Sequence, residues 1–308
     1  MKKISFITLL LIFSCARKLP PPNPDIFPPE IVDYFVPNNY TLKIKFNENL
    51  SPQIDKEKFI IFSSKETLKI LSLFVEKEFL TIITNPQKPL TYLIKGEISD
   101  LNNNILRFKL RFKGNPLPDT IKPFIQNIII NKEGISISFS EPLVTTDLYF
   151  FSSAIIAETI WQEDKKNLLL KFKEEPKEFS SFIILPTLKD LGGNRLTAGE
   201  ERFQIFDTAI KFINLTGKVF LKESLSDNSI LIFKNKDDNS LSFSLAKKGI
   251  FKTKVKKGKY QLIALLDTDL DFYPDFYYQE EQEWQTDTTI FINLLPVKEP
   301  KKLDEYLH

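Results

Sequence analysis

From Ile31 onward, apolar and polar side chains alternate in short runs. TLKIKFNENL (Thr41 to Leu50) sets Leu42, Ile44 and Phe46 on one side and Lys43, Lys45 and Asn47 on the other. GISISFSEPL (Gly134 to Leu143) does the same with Ile135, Ile137 and Phe139 against Ser136, Ser138 and Ser140. A period of two predicts strands with one dry and one wet face. The runs FIIFSS, LKILSLFV and FLTIITN, then SSAIIAETIW and NLLLKF, are rich in β-branched and aromatic residues and are cut by Pro, Asn and Gly. From about Ile213 four more follow: LTGKVFL, SILIFKN, GIFKTKV and GKYQLIALLD. The pattern predicts an all-β chain.

The pattern is also used twice. KFNENL aligns with SFSEPL, Phe46 on Phe139, an offset of 139 − 46 = 93. ISDLNNNIL (Ile98 to Leu106) aligns with LKDLGGNRL (Leu188 to Leu196), Asp100 on Asp190, an offset of 190 − 100 = 90. Two landmarks in one order at nearly one offset define a repeat of about 90 residues, the size of an immunoglobulin-like sandwich. The predicted organisation is a first sandwich over 31–114, a second over 115–208, a third over 209–296 and a polar tail over 297–308.

LKDLGGNRL has the composition of a catalytic loop, but its recurrence marks a building unit. Asp100, Asn104, Asp190 and Asn194 are predicted to bond turn backbone, with Gly192 and Gly193 supplying left-handed dihedrals. In the first copy Asn102 and Asn103 replace the glycines. The alternative is that Asp190, Asn194 and Glu141 gather a calcium ion through their oxygens.

A strand ending Phe-Ser-Glu-Pro-Leu, followed by Asp-Leu-Gly-Gly-Asn-x-Leu, resembles the SbsA-type Ig-like domain of bacterial surface proteins, in two copies from about Pro28 to Phe206. Thr-Gly-Lys-Val followed by a Gly-Lys-Tyr-x-Leu strand closing on Asp is similar to carboxypeptidase-regulatory-like and transthyretin-like sandwiches, over about Leu215 to Leu295. These resemblances imply tandem Ig-like β-sandwiches in three domains on a surface protein.

The amino terminus bears on location. MKKISFITLLLIFSC places two lysines before a short apolar run, far below the roughly 20 residues that span a bilayer as a helix, and reads as a signal peptide over 1–14. IFSC resembles a bacterial lipobox, which implies cleavage before Cys15 and lipid on its thiol; two or more acyl chains make a stable anchor. Ala16 favours an outer-membrane or surface address. The proline-rich run that continues to Glu30 reads as a semi-rigid stalk over 15–30.

Charge and rare residues narrow the chemistry. Lys and Arg total 42 against 40 Asp and Glu; without Lys2 and Lys3 the balance is 40 to 40, so no footprint for nucleic acid emerges. His308 is the single histidine and Cys15 the single cysteine, which leaves no Ser-His-Asp triad, no histidine zinc site and no internal disulfide. The expectation is no enzyme and no required cofactor. DTDLDFYPD sets Asp267, Asp269, Asp271 and Asp275 at positions 1, 3, 5 and 9 of a calcium-loop spacing, but Phe272 stands where the loop needs Gly and Tyr278 where it needs Glu. It is either a weak calcium loop or an acidic hairpin held by Asx turns. In FYPDFYYQEEQEW, Tyr273, Tyr277 and Trp284 either stack on sugar rings or fold onto the core. The sequence thus reads as an exported, lipid-anchored, non-catalytic spacer, adhesion or binding module, its partners the membrane and envelope proteins or polysaccharide. The alternative is a carbohydrate-binding or envelope-assembly lipoprotein using the Phe272–Trp284 loop.

Overall fold

The computed structural model describes residues 25–307. The expected signal peptide, Cys15 and most of the stalk lie outside the described residues. Each alternating run becomes a strand. The first unit comprises β1 (Ile31–Phe35), β2 (Thr41–Phe46), β3 (Ile60–Phe62), β4 (Thr67–Leu68), β5 (Ile70–Glu76), β6 (Phe79–Thr84), β7 (Thr91–Ser99) and β8 (Ile105–Lys113). They form two sheets, β1-β2-β6-β5 and β4-β3-β7-β8. With strands lettered in chain order, these are the ABED and CFG sheets of an Ig-like sandwich with one added strand beside C.

The second unit repeats the plan with β9 (Ile125–Ile130), β10 (Gly134–Phe139), β11 (Leu143–Val144), β12 (Phe150–Ser152), β13 (Ile156–Trp161), β14 (Asn167–Phe172), β15 (Phe179–Ile184), β16 (Lys189–Asp190) and β17 (Glu200–Ile205). Its main sheets are β9-β10-β14-β13 and β12-β15-β17. The repeat extends to register. Tyr34 opposes Ile44 as Ile128 opposes Ile137, and Val32 and Gln126 are each bulged out beside the first pair. Leu42, Ile44 and Phe46 fill the first core and Ile135, Ile137 and Phe139 the second, as the alternation requires.

The third unit is built differently: β18 (Phe212–Leu221), β19 (Ser224–Leu225), β20 (Ile230–Asn235), β21 (Leu241–Leu245), β22 (Ile250–Lys256), β23 (Gly258–Leu266), β24 (Phe276–Trp284) and β25 (Thr288–Pro296). One layer is β22-β18-β25, with β18 and β25 parallel and β22 antiparallel to β18; the other is β21-β20-β23-β24. They join at one corner, where Phe276 and Tyr277 pair with Pro296 and Leu295. The chain is therefore all-β, with three tandem sandwiches.

The second and third units also share a core. Phe151, Ile183 and Leu185 pack against Ile230, Ile232, Phe243, Leu245, Ile263 and Leu265. Phe182 and Ile184 of the same strand, β15, serve the second unit's own core, and Leu231, Phe233, Leu262 and Ala264 serve the third's. These strands are buried on both faces, which is why FIIL, SILIF and LIALL lack alternation. Four sheets thus stack, with β12-β15-β17 and β21-β20-β23-β24 as the inner pair. The β21 edge is capped by side chains: Phe243 N donates to Ser181 Oγ (2.8 Å), and Leu245 N and Ser244 Oγ donate to Glu201 Oε2 (2.6 and 2.8 Å).

The segment expected to be a polar tail is docked instead. Leu303 is fully buried in the shared core, and its N–H donates to Phe272 O (3.0 Å). One leucine outweighs its charged neighbours because the seam between units offers an apolar socket.

The first and second units meet more sparsely. Ser72 Oγ donates to Asp164 O (3.0 Å), and the Lys166 ammonium sits against the Glu76 carboxylate, 4.4 Å from the Phe74 ring centroid.

Candidate functional site

The duplicated turn is a closely hydrogen-bonded polar structure that occurs in both Ig-like units. Asn194 donates its backbone N–H to Asp190 Oδ1 and its side-chain amide to Asp190 Oδ2, both at 2.8 Å. Asn104 treats Asp100 in the same way, at 2.8 and 2.7 Å. Asp100 pairs with Leu50 across an antiparallel bridge, as Asp190 does with Leu143. Both aspartates are buried. Of the two glycines only Gly193 is left-handed (φ 93°), and Asn103 matches it in the first copy (φ 66°), so the expectation that Gly192 also supplies such a dihedral is corrected. Gly192 answers to space, since a Cβ there would stand 2.9 Å from Asp119 Cβ.

Those turns hold a second element. Asn104 Nδ2 also donates to Asp25 O (3.1 Å) and Asn194 Nδ2 to Asp119 O (3.2 Å), tying down the segment that enters each sandwich. Asp25 and Asp119 in turn accept from Phe27 N and Ile121 N, each at 3.1 Å. The sequence signal of this arrangement is the pair of Pro-Asp steps at 24–25 and 118–119.

Each turn also completes an acidic trio. Carboxylate oxygens of Asp25, Glu48 and Asp100 lie within 4.8 Å of one another, as do those of Asp119, Glu141 and Asp190. Asp119 thus joins Asp190 and Glu141, two of the residues expected from the sequence, while Asn194 lies beside them with its Nδ2 donating to Asp190 Oδ2 and Asp119 O. Burial, then the charges of Asp190 and Asp119, push the Glu141 carboxyl up to about 7. Glu48 is raised by burial first and then by Asp100 and Asp25. A proton or a cation entering either trio would relieve the repulsion.

The Asp267–Asp275 loop brings together three of its four expected ligands: Asp267, Asp269 and Asp275 offer oxygens within 4.8 Å of one another. Asp271 stands apart and accepts from Tyr273 N (2.8 Å). Asp267 is buried; its Oδ1 accepts from Leu270 N (2.8 Å) and Asp271 N (3.3 Å), its Oδ2 from Phe272 N (2.8 Å). Asp275 Oδ2 accepts from Thr268 N (2.8 Å) and from the Thr268 hydroxyl. These bonds build side-chain-to-backbone turns through the loop, while the three carboxylates stay close enough to share a cation. Phe272, where a calcium loop has Gly, takes the left-handed conformation itself (φ 73°) and stacks on Tyr149 with centroids 4.7 Å apart. Apolar burial offsets a backbone cost of about 1–2 kcal/mol.

Trp284 is not a sugar platform. It is buried, packed on Tyr260 and Phe233 at 5.3 and 6.0 Å, and its Nε1 donates to Gln282 Oε1 (3.1 Å). Its position on β24 turns it inward, opposite to its polar neighbours. Tyr273 is exposed at the loop tip. Tyr277 lines a groove of about 460 Å³ with Gln261, Gln279 and Tyr306.

No protein-family profile and no curated protein matches the chain. Among solved structures it is similar to BcpA, the major pilin subunit of Bacillus cereus, at 10% identity over 78% of this chain and 94% of that one, with a TM-score of 0.23. It is also similar to native alpha-2-macroglobulin from Escherichia coli spanning domains MG0-NIE-MG1, at 9% identity over 83% and 97% respectively, with a TM-score of 0.26. The architecture accordingly rests on the sheets and cores described above.

Proposed function

We propose that the chain is an exported, lipid-anchored envelope protein whose sandwiches act as a non-catalytic spacer and binding module of the SbsA-type Ig-like kind. The observation that carries this reading is the welding of the second and third sandwiches by a shared apolar core. A chain organised as stacked sheets, with Asp100 and Asp190 spent on turns and Lys166 on a junction, suits holding surfaces at a distance. Cys15 supplies the anchor and the proline-rich run the stalk. Metabolic labelling with a palmitate analogue and membrane fractionation test the anchor: the native chain takes label and sediments with the envelope, while Cys15→Ala takes none and is released. An unlabelled native chain in the soluble fraction sinks the reading.

The carbohydrate-binding alternative moves to the groove beside Tyr277. There two phenols and two amides, with Lys298, Glu299, Lys301 and Glu305 beside them, offer ring faces and hydrogen-bonding groups to a sugar.

A further inference from the structure

On one flank of the four-sheet stack, the edge strands β17, β21 and β22 run around a groove of about 510 Å³ that also reaches Asn214 of β18. Five consecutive residues of β17, 201–205, and three of β22, 252–254, wall it. Side chains alternate between the faces of a strand, so consecutive residues line one cavity only where the strand edge is itself the wall. β17 ladders to β15 alone, and β22 ladders to β18 with only Ile250 bridged on its other edge, to Lys247, so among the described residues no partner strand covers either edge along 201–205 or 252–254. Phe243 of β21 also lines the groove, and the donors on that strand's edge are already taken by Ser181 and Glu201. The deepest edge is capped; the two at the lips are open.

The lips are also positive. Arg202 stands on β17, and Lys252 and Lys254 on β22. None of the three enters an ion pair among the described residues. Arg202 makes only long contacts to the carbonyls of Ile128 (3.4 Å) and Glu201 (3.5 Å). The groove's carboxylate, Glu201, is engaged by Leu245 N and Ser244 Oγ. Lys252 and Lys254 are two residues apart, so they share the outward face at the spacing of alternate residues on a neighbouring strand.

We propose that this flank is a β-augmentation site for an extended acidic peptide segment of another protein. The segment adds to the open edge of β22, its alternate Glu or Asp side chains meeting Lys252 and Lys254 while Arg202 faces it from the opposite lip. Main-chain bonds supply affinity and the cation spacing supplies selectivity. Open edges favour a peptide over a polysaccharide, which has no ladder to offer. The site does not depend on the chain being anchored.

The test is fluorescence anisotropy with the purified mature chain and a labelled nine-residue peptide alternating Glu with Val or Thr. Three comparison ligands accompany it: the same peptide with a central Pro, the same peptide with Lys for Glu, and polygalacturonate. The acidic peptide is expected to bind, with affinity falling at least tenfold on adding the central Pro and at least tenfold in Lys252→Glu/Lys254→Glu. Hydrogen exchange at residues 250–256 should slow when peptide is present, and Arg202→Glu provides a second variant on the other strand. Equal binding of the Pro peptide reduces the groove to a charged surface and overturns the proposal. Binding of polygalacturonate alone, or of no ligand, does so as well.

Discussion

Asn194 grips Asp190 with two hydrogen bonds, one from its backbone N–H and one from its side-chain amide, each 2.8 Å long. Both donors converge on a carboxylate with 2% exposure, where bonds to a charged acceptor contribute about 1.5–3 kcal/mol each. Asp190→Ala should therefore cost about 3 kcal/mol, and Asp190→Asn about half that because one acceptor oxygen survives. Urea denaturation measures both. Equal losses for the two variants would show that volume matters there rather than hydrogen bonding.

Glu141 makes stability fall as pH rises. Asp190 and Asp119 face it as like charges, Lys166 and Lys43 as opposite ones, and burial is the largest influence. Its carboxyl is raised to about 7, so the folded chain holds the proton more tightly than the unfolded one. That contribution is complete below the ordinary value of 4.5 and is lost as pH climbs through 7. With allowance for solvent screening it amounts to about 1 kcal/mol. Glu141→Gln should stabilise the chain at pH 8 and leave it unchanged at pH 4, as read from urea midpoints. Parallel profiles for the two proteins would count against the assignment.

The Asp267 loop should behave as a turn. Asp267→Asn keeps the acceptor for Leu270 N and should cost about 1 kcal/mol, whereas Asp267→Ala loses every bond and should cost 2 kcal/mol or more, about what stranding buried donors costs. Melting temperatures in millimolar calcium and in chelator should coincide. A calcium-dependent rise abolished by Asp267→Asn would decide for the ion-binding reading.

Units two and three should unfold together. Ile183 is fully buried in the core they share, so Ile183→Ala should cost about 2–5 kcal/mol and lower a single calorimetric transition assigned to both. The first unit, joined mainly through Lys166 and Ser72, should melt separately. Three independent transitions would contradict the fused core.

Lys166 should set the angle of the first junction. Its side chain is 8% exposed while Glu76, its partner, is 52% exposed, so the ammonium gives up most of its hydration and is held by the Glu76 carboxylate and the Phe74 ring face. Lys166→Met should retain the packing and Lys166→Ala should loosen it. Small-angle scattering should show a broadened interunit distance distribution for Ala alone.

Strand positions in the two Ig-like units were legible wherever one face is wet, because alternation at a period of two leaves a direct trace. Leu42, Ile44 and Phe46, and their counterparts Ile135, Ile137 and Phe139, fell into the cores on that basis. Asp190 and Asn194 were legible as a turn from recurrence. Trp284 was ambiguous, because aromatic residues among acids look the same whether the strand turns them inward or outward. Asp119 left only the repeated Pro-Asp pair as a trace, which marks an entry segment but does not report which carboxylates it will meet.

The sequence by itself determined the strands, the duplication and the turn chemistry, since each depends on residues close together or on a pattern repeated along the chain. Only the tertiary structure decided that two sandwiches share one core, that Leu303 is buried, that Asp119 joins Glu141 and Asp190, and that β22 keeps an open edge. Those outcomes depend on which faces and edges meet across long stretches of chain, and a buried strand and a free edge can carry the same local sequence.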